Sequence, residues 1–245
     1  MKRRSVLAGL AAALTAGCSK IGESQAFQGL VDGAGKLHRA AHRTLGGKQP
    51  LAREYSPADI SPFFRGNGNT EIDNDAYRAH LAAGFAHWRL HVRGLVERPL
   101  SLSMEQIRAL PQRTQITRHD CVEGWSAIGQ WTGPQLSALL EMAGLQDGAK
   151  FIVFRCADDF RGTPYYESCD LDDAFHPQTI LAHQLNGAPL PIRNGAPLRL
   201  RIERQLGYKH AKYLTAIEPV ASLEGIGKGG GGYWEDRGYQ WYAGV

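Results

Sequence analysis

Seven consecutive positions of the chain gather a thiol, an imidazole, two carboxylates and an indole: His119-Asp120-Cys121-Val122-Glu123-Gly124-Trp125. A cysteine delivered by a strand into a loop beside charged groups can serve as a nucleophile or as a soft-metal ligand, because both roles use the thiolate. An inert buried thiol is the other reading, since free cysteine is among the most buried residue types. A Cys-His hydrolase would need His119 beside the sulfur, but neighbours on a strand point to opposite faces and make poor catalytic partners.

A second cluster is Asn194-Gly-Ala-Pro-Leu-Arg199, followed by Gly207-Tyr-Lys-His210-Ala211-Lys212. An arginine opening a strand offers a fork of donors, and two lysines around a glycine turn add point charges, so the segment can cradle a phosphate. A solvated basic face is the equally open alternative. No Walker motif or G-x-G-x-x-G pattern occurs, which disfavours nucleoside triphosphates and the usual dinucleotide fold.

The composition bounds what these clusters can serve. With 245 residues, 43% of them hydrophobic and 21% charged, the chain has material for one good core. The net charge of +4 invites a nucleic-acid reading. However, Lys2, Arg3 and Arg4 precede the short apolar run Val6 to Ala16, which reads as an export signal and not as a span. Removing those three from the 28 basic residues leaves a near balance with the 24 acidic ones, so no electrostatic case for nucleic acid survives. Arg3-Arg4-Ser5-Val6-Leu7 resembles the twin-arginine class, the export route of proteins that fold around a cofactor, and implies a periplasmic destination. Thr15-Ala16-Gly17-Cys18 resembles a lipoprotein box with Cys18 as a lipid anchor; an ordinary signal peptide is the alternative. Cys121, Cys156 and Cys169 then remain in an oxidising compartment, an odd number that leaves at least one free or otherwise held.

The elements that must position these residues follow from spacing. Residues 1–18 are expected to be the signal, 19–60 a helical arm and linker, and 61–245 the main domain. Phe27, Leu30, Val31, Ala34, Leu37, Ala41 and Leu45 predict an amphipathic helix packed on that domain. Gln49 to Asn69 reads as extended loop, and Tyr77 to Ala83 as a short helix. Trp88, Leu90 and Val92 alternate as a half-buried strand. Ser103 to Gln106 forms a capping box, and Thr132 to Gln135 repeats that logic before a helix burying Leu136, Leu139, Leu140 and Ala143. Arg113 to Arg118 is β-rich, and buried strands are expected at Phe151 to Phe154, Leu198 to Ile202 and Tyr213 to Val220. The irregular alternation predicts an α+β fold, a single mixed domain without the rhythm of a doubly wound sheet. Gly229 to Gly232 reads as a flexible hinge before an aromatic tail.

Taken in order, Cys121-Val-Glu-Gly-Trp-Ser, Trp131-Thr-Gly, His176-Pro, Asn194-Gly-Ala-Pro-Leu-Arg199 and Gly207-Tyr-Lys-His-Ala-Lys212 resemble the molybdopterin-binding oxidoreductase domain of sulfite oxidases. The resemblance covers residues 61–245 and is closest to the bacterial periplasmic branch, typified by methionine sulfoxide reductase catalytic subunits. It implies that Cys121 ligates molybdenum, a soft thiolate completing a metal already held by the two sulfurs of a molybdopterin free of a mononucleotide. It further implies that Asn194 and Arg199 hold the pterin and its phosphate, that His210, Ala211 and Lys212 complete the phosphate site, and that Asn67 reaches the pterin. Cys156 stands where that branch has a cofactor-contacting threonine, so the residue beside the metal differs. The arginine cluster that binds sulfite has no clear counterpart near Cys121. The tail resembles the family's segment at the cofactor mouth, with Trp234 or Tyr242 as substrate contacts or, alternatively, core packing. The function implied by the resemblance is that of an exported oxidoreductase, expected as a monomer, that transfers an oxygen atom to or from a small molecule such as a sulfoxide. It would use a separate electron-transfer partner, a membrane haem protein or small cytochrome. A binding protein without turnover and a Cys-dependent hydrolase are the alternatives.

Overall fold

The computed structural model describes residues 24–45 and 50–245; the twin-arginine segment and Cys18 lie outside the described residues. The chain divides into two units between Lys48 and Gln49. In the first, the expected helix is α1 (Gln25–Leu45), with His42 and Arg43 in its last turn, where cations complement the carbonyl end of the helix dipole. Among the described residues no helix is long and apolar enough to cross a membrane.

The second unit runs in chain order through α2 (Asp75–Ala82), β1 (Arg89–Val92), β2 (Leu100–Ser103), α3 (Met104–Ala109), β3 (Gln112–Asp120) and β4 (Ser126–Pro134). It continues through α4 (Leu136–Ala143), β5 (Phe151–Phe160), β6 (Thr163–Asp170), α5 (Leu171–Ala174), β7 (Ile180–Ala182), β8 (Gln184–Leu185), β9 (Ala188–Pro189), β10 (Arg199–Arg201) and β11 (Leu214–Val220). Three sheets result among the described residues, ordered β2-β1-β11-β5-β6, β3-β4-β8-β9 and β10-β7. Their pairings are antiparallel except that of β1 with β11. The mixed α+β architecture expected from the spacing is therefore the one formed. Residues 50–60 belong to this body: the Tyr55 amide donates to the Ile116 carbonyl, and Glu54 bridges Thr117 on the edge of β3.

Periodicity located the core well. Leu90 and Val92 of β1, Ile107 of α3 and the predicted face of α4, from Leu136 to Ala143, are all buried in one cluster with Ile152, Phe154 and Ile217. The Ser103 capping box forms, its hydroxyl accepting from the Gln106 amide and the Gln106 side chain accepting from the Ser103 amide. The second predicted box does not form. Thr132 to Pro134 extend β4, the Thr132 hydroxyl pairs with that of Thr114 across the hairpin, and the helix starts after Gln135 without a side-chain cap. Strand pairing along the whole of β3 outweighs one local capping bond. The glycine run from 229 to 232 is also no hinge. From Gly230 onward its backbone is packed so closely that a Cβ on Gly232 would collide with a Glu235 carboxylate oxygen, and the Gly231 carbonyl accepts from the Ser168 hydroxyl. Glycine is used here for close approach.

Candidate functional site

The hairpin β3-β4 delivers Cys121 to a tight turn. The Cys121 amide donates to the Trp125 carbonyl at 2.9 Å and the Gly124 amide to the Cys121 carbonyl at 3.0 Å, with Gly124 at φ 85°. The Trp125 indole nitrogen donates to Glu123 at 3.0 Å and braces the same turn. The turn presents Cys121 to a pocket with a cavity volume of about 140 Å³. Asn67, His210, Lys212 and Trp234 line that pocket with Cys121, so two segments singled out from sequence and separated by some ninety residues meet at one place.

The other expected cofactor residues stand behind this lining. Arg199 is fully buried, donates to the carbonyls of Asn194 at 3.0 Å and His210 at 3.3 Å, and lays its guanidinium 5.0 Å above the Trp131 ring. Asn194 is buried and donates to the Arg65 carbonyl, and the Ala211 carbonyl accepts from the Leu200 amide. Cys156 is partly buried on β5 opposite Leu214, and no disulfide joins it to Cys169. Tyr242 does not line the pocket; its ring packs on Gly244, and Tyr239, stacked on Trp234 at 5.3 Å, takes the place at the wall.

Burial and crowding of cations shape the electrostatics. Burial pulls the Lys212 ammonium down to about 7 from its ordinary 10.5, Arg199 adding repulsion while Asp158 works against it. Burial, together with Arg201, brings the Arg199 guanidinium to about 9. His119 and His210 are held well below the usual imidazole range, first by burial and then by Arg201 and Arg199, so both are neutral. Lys212 reaches the carbonyls of Asn67 at 2.7 Å, Arg193 at 3.2 Å and Asn69, an arrangement that pins the Asn67 to Asn69 loop over the pocket. Burial pushes the Cys121 thiol up, with Glu123 beside it. His119 Nδ1 is engaged by Arg201 at 2.8 Å and His210 Nε2 by the Gln205 carbonyl, and neither ring hydrogen-bonds the Cys121 thiol.

The fit to a phosphorylated, metal-bearing pterin can be tested on unpartnered atoms. Arg199 Nε, His210 Nδ1 and Asn67 Oδ1 are buried without a partner, and buried polar groups ordinarily find one. Lys212 in the lining with the Cys121 thiol, Arg199 behind it and these three unpartnered polar atoms suit an anionic ligand that brings its own hydrogen-bonding groups. Among the described residues no three histidine, cysteine or acidic side chains converge as a metal site, so a metal at Cys121 would take its remaining ligands from the cofactor. The residues present fit the group.

Sequence reasoning missed Asp158, Phe160, Tyr165 and Tyr208, which also line the pocket. The signal for the first was the Asp158-Asp159 pair near the end of a strand that opens as the apolar run Phe151 to Phe154. It missed too the buried ion pair Arg201–Glu203, 2.5 Å, although Arg199 and Arg201 share one face of β10 and both cover Trp131.

A family model described as the oxidoreductase molybdopterin-binding domain matches residues 79–223. A protein of Azospira oryzae, named as a candidate protein-methionine-sulfoxide reductase subunit YedZ1, is 37% identical across this whole chain and 86% of its own length. The protein-methionine-sulfoxide reductase catalytic subunits MsrP of Campylobacter jejuni and Xanthomonas campestris are 36% and 34% identical over 60% and 61% of the chain. The matches take in 55% and 50% of those two proteins, so the chain spans about half the length of these relatives. Among solved structures, the sulfane dehydrogenase SoxCD of Paracoccus pantotrophus superposes with a TM-score of 0.51 at 22% identity. That superposition covers 56% of this chain and 39% of the other, a likeness of fold.

Proposed function

Because the chain belongs to the oxidoreductase molybdopterin-binding domain family and is a molybdenum-dependent oxidoreductase, we propose that it reduces small sulfoxides to thioethers after twin-arginine export to the periplasm. Electrons would arrive from a separate partner, a membrane haem protein or small cytochrome. The observation that carries the reading is the convergence of Cys121 with Lys212 and His210 on one pocket whose other wall is aromatic.

Cys121 would hold the metal, its backbone immobilised by the Trp125 turn. Lys212, His210 and Arg199 would hold the phosphate and Asn67 and Asn194 the pterin, with Cys156 close to the cofactor. When bound, the cofactor supplies reversible two-electron chemistry and a place for the transferred oxygen. The protein positions the substrate: Phe160, Trp234 and Tyr239 form a wall against which a thioether sulfur gains about 0.3–1.5 kcal/mol per ring contact and which excludes water. Glu123 at the rim, with no arginine among the described residues that line the pocket, disfavours a small dianion such as sulfite.

The test is protein made in a molybdenum-competent host and assayed with a reduced dye against sulfoxides, N-oxides and sulfite. About one molybdenum per chain and sulfoxide turnover are expected. Cys121→Ser should lose both the metal and at least ~100-fold in activity. Turnover surviving that substitution, or a protein that turns over sulfite alone, contradicts the reading.

A further inference from the structure

The β5-β6 pairing slips between Arg155 and Asp159, so Cys156, Ala157 and Asp158 form an irregular bulge on β5. Bulges re-aim side chains, and this one turns Asp158 into the pocket that Cys121 lines. The carboxylate is 4% exposed. Its Oδ2 accepts from Asn69 Nδ2 at 3.0 Å, while Oδ1 is buried with no partner at all. A buried carboxyl oxygen without a partner, on a residue that lines the pocket, is costly to keep ionised and suited to carry a proton. Nothing in the expected cofactor-holding set uses it.

We propose that Asp158 is the proton donor to the substrate oxygen, an inference that rests on the sulfoxide-reducing reading. Converting a sulfoxide to a thioether breaks the sulfur–oxygen bond, consumes two electrons and two protons, and releases water. The electrons come through the bound cofactor from the one-electron redox partner. Asp158 supplies one proton and solvent the other. The carboxylate left behind faces the Lys212 ammonium and regains its proton from water at the pocket mouth.

The groups around Asp158 set when it holds that proton. Lys212 faces it from the segment before β11, Asp159 follows it on β5, Cys156 precedes it, and Tyr77, Tyr165 and Tyr213 respond to its charge from α2, β6 and the turn before β11. Burial pushes the carboxyl up to about 6, against the opposing pull of Asn69 and Lys212. A phosphate that engages Lys212 would relax that pull and move the carboxyl higher still. The donor form is thus present below about 6 and is lost as pH rises through that value.

The experiment compares molybdenum-loaded wild type, Asp158→Asn and Asp158→Glu. Asparagine keeps the acceptor for Asn69 and carries no titrating proton. Wild-type kcat should fall as pH rises above the carboxyl's value. Asp158→Asn should lower kcat by roughly 100-fold or more and abolish that limb, with KM within about threefold and molybdenum content unchanged. Asp158→Glu should recover part of the loss. Infrared spectra of the resting protein give a readout apart from turnover: the difference spectrum of wild type minus Asp158→Asn should contain the titrating carbonyl stretch of a buried carboxylic acid, the Glu167 contribution being common to both and cancelling. Full activity and an unchanged pH limb in Asp158→Asn, or no such band in the difference spectrum, overturns the assignment alone. A fully loaded wild type inert toward every sulfoxide overturns the sulfoxide reading and this step with it.

Discussion

Lys212 illustrates how one side chain can record the ligand its surroundings were shaped to hold. Its ordinary value of 10.5 falls to about 7 in the fold, first because it is buried and second because Arg199 stands nearby. Between those two values the unfolded chain carries a proton that the folded chain lacks. Folding stability of the cofactor-free protein should therefore be lowest below about 7 and rise with pH across that window. An anion at the site removes the penalty by favouring the ammonium. Inorganic pyrophosphate should thus raise the melting temperature of cofactor-free protein more on the acidic side of that window than on the alkaline side. Lys212→Met should flatten both effects, as thermal unfolding at a series of pH values will measure. Equal pyrophosphate shifts at both ends would mean that Lys212 is not the anion contact.

At the level of elements, the site depends on how closely strands approach. Trp131 of β4 lies fully buried beneath the guanidinium groups of Arg199 and Arg201, so the β3-β4 hairpin that carries Cys121 is registered against the strand that carries the cations. Gly133 permits this: a Cβ there would overlap the Leu181 carbonyl on β7, the strand paired with β10. Gly133→Ala must push the two sheets apart, and overpacking of this kind costs about 1–3 kcal/mol. Urea unfolding should show that loss, and molybdenum content should fall with it because Cys121 and Arg199 move relative to each other. A fully stable variant that binds no metal would instead point to a local role for Gly133 in the site.

For the molecule as a whole, the family match ends at residue 223, yet Trp234 and Tyr239 in the tail complete the pocket wall. The tail is held from within. Lys209, two residues before Ala211, is buried between Glu167 of β6 at 2.7 Å and Glu235 of the tail. Burial holds the Glu167 carboxyl well above its usual range despite Lys209, so this cluster is sensitive to the loss of that cation. Removing one partner of a buried ion pair typically costs about 3–5 kcal/mol. Lys209→Met should lose about that much near neutral pH and less in acid, where the Glu167 carboxyl is protonated. It should also raise KM for sulfoxides while molybdenum stays bound, because the tail wall loosens and the phosphate contacts do not. Urea unfolding across pH and steady-state kinetics check the two halves separately.

Local spacing alone identified the helix face of α4, the alternation of β1, the Ser103 box and the two chemical clusters around Cys121 and Lys212, because each is written in residues close together in the chain. It misjudged Thr132 and the glycine run from 229 to 232, where pairing and packing with distant segments outweighed short-range preference. Which clusters share a pocket, why Tyr239 and not Tyr242 faces it, and that a bulge in β5 brings Asp158 to join them were settled only in three dimensions. A side chain's direction follows from register, bulges and burial against partners far away in sequence, and those are properties of the assembled sheets.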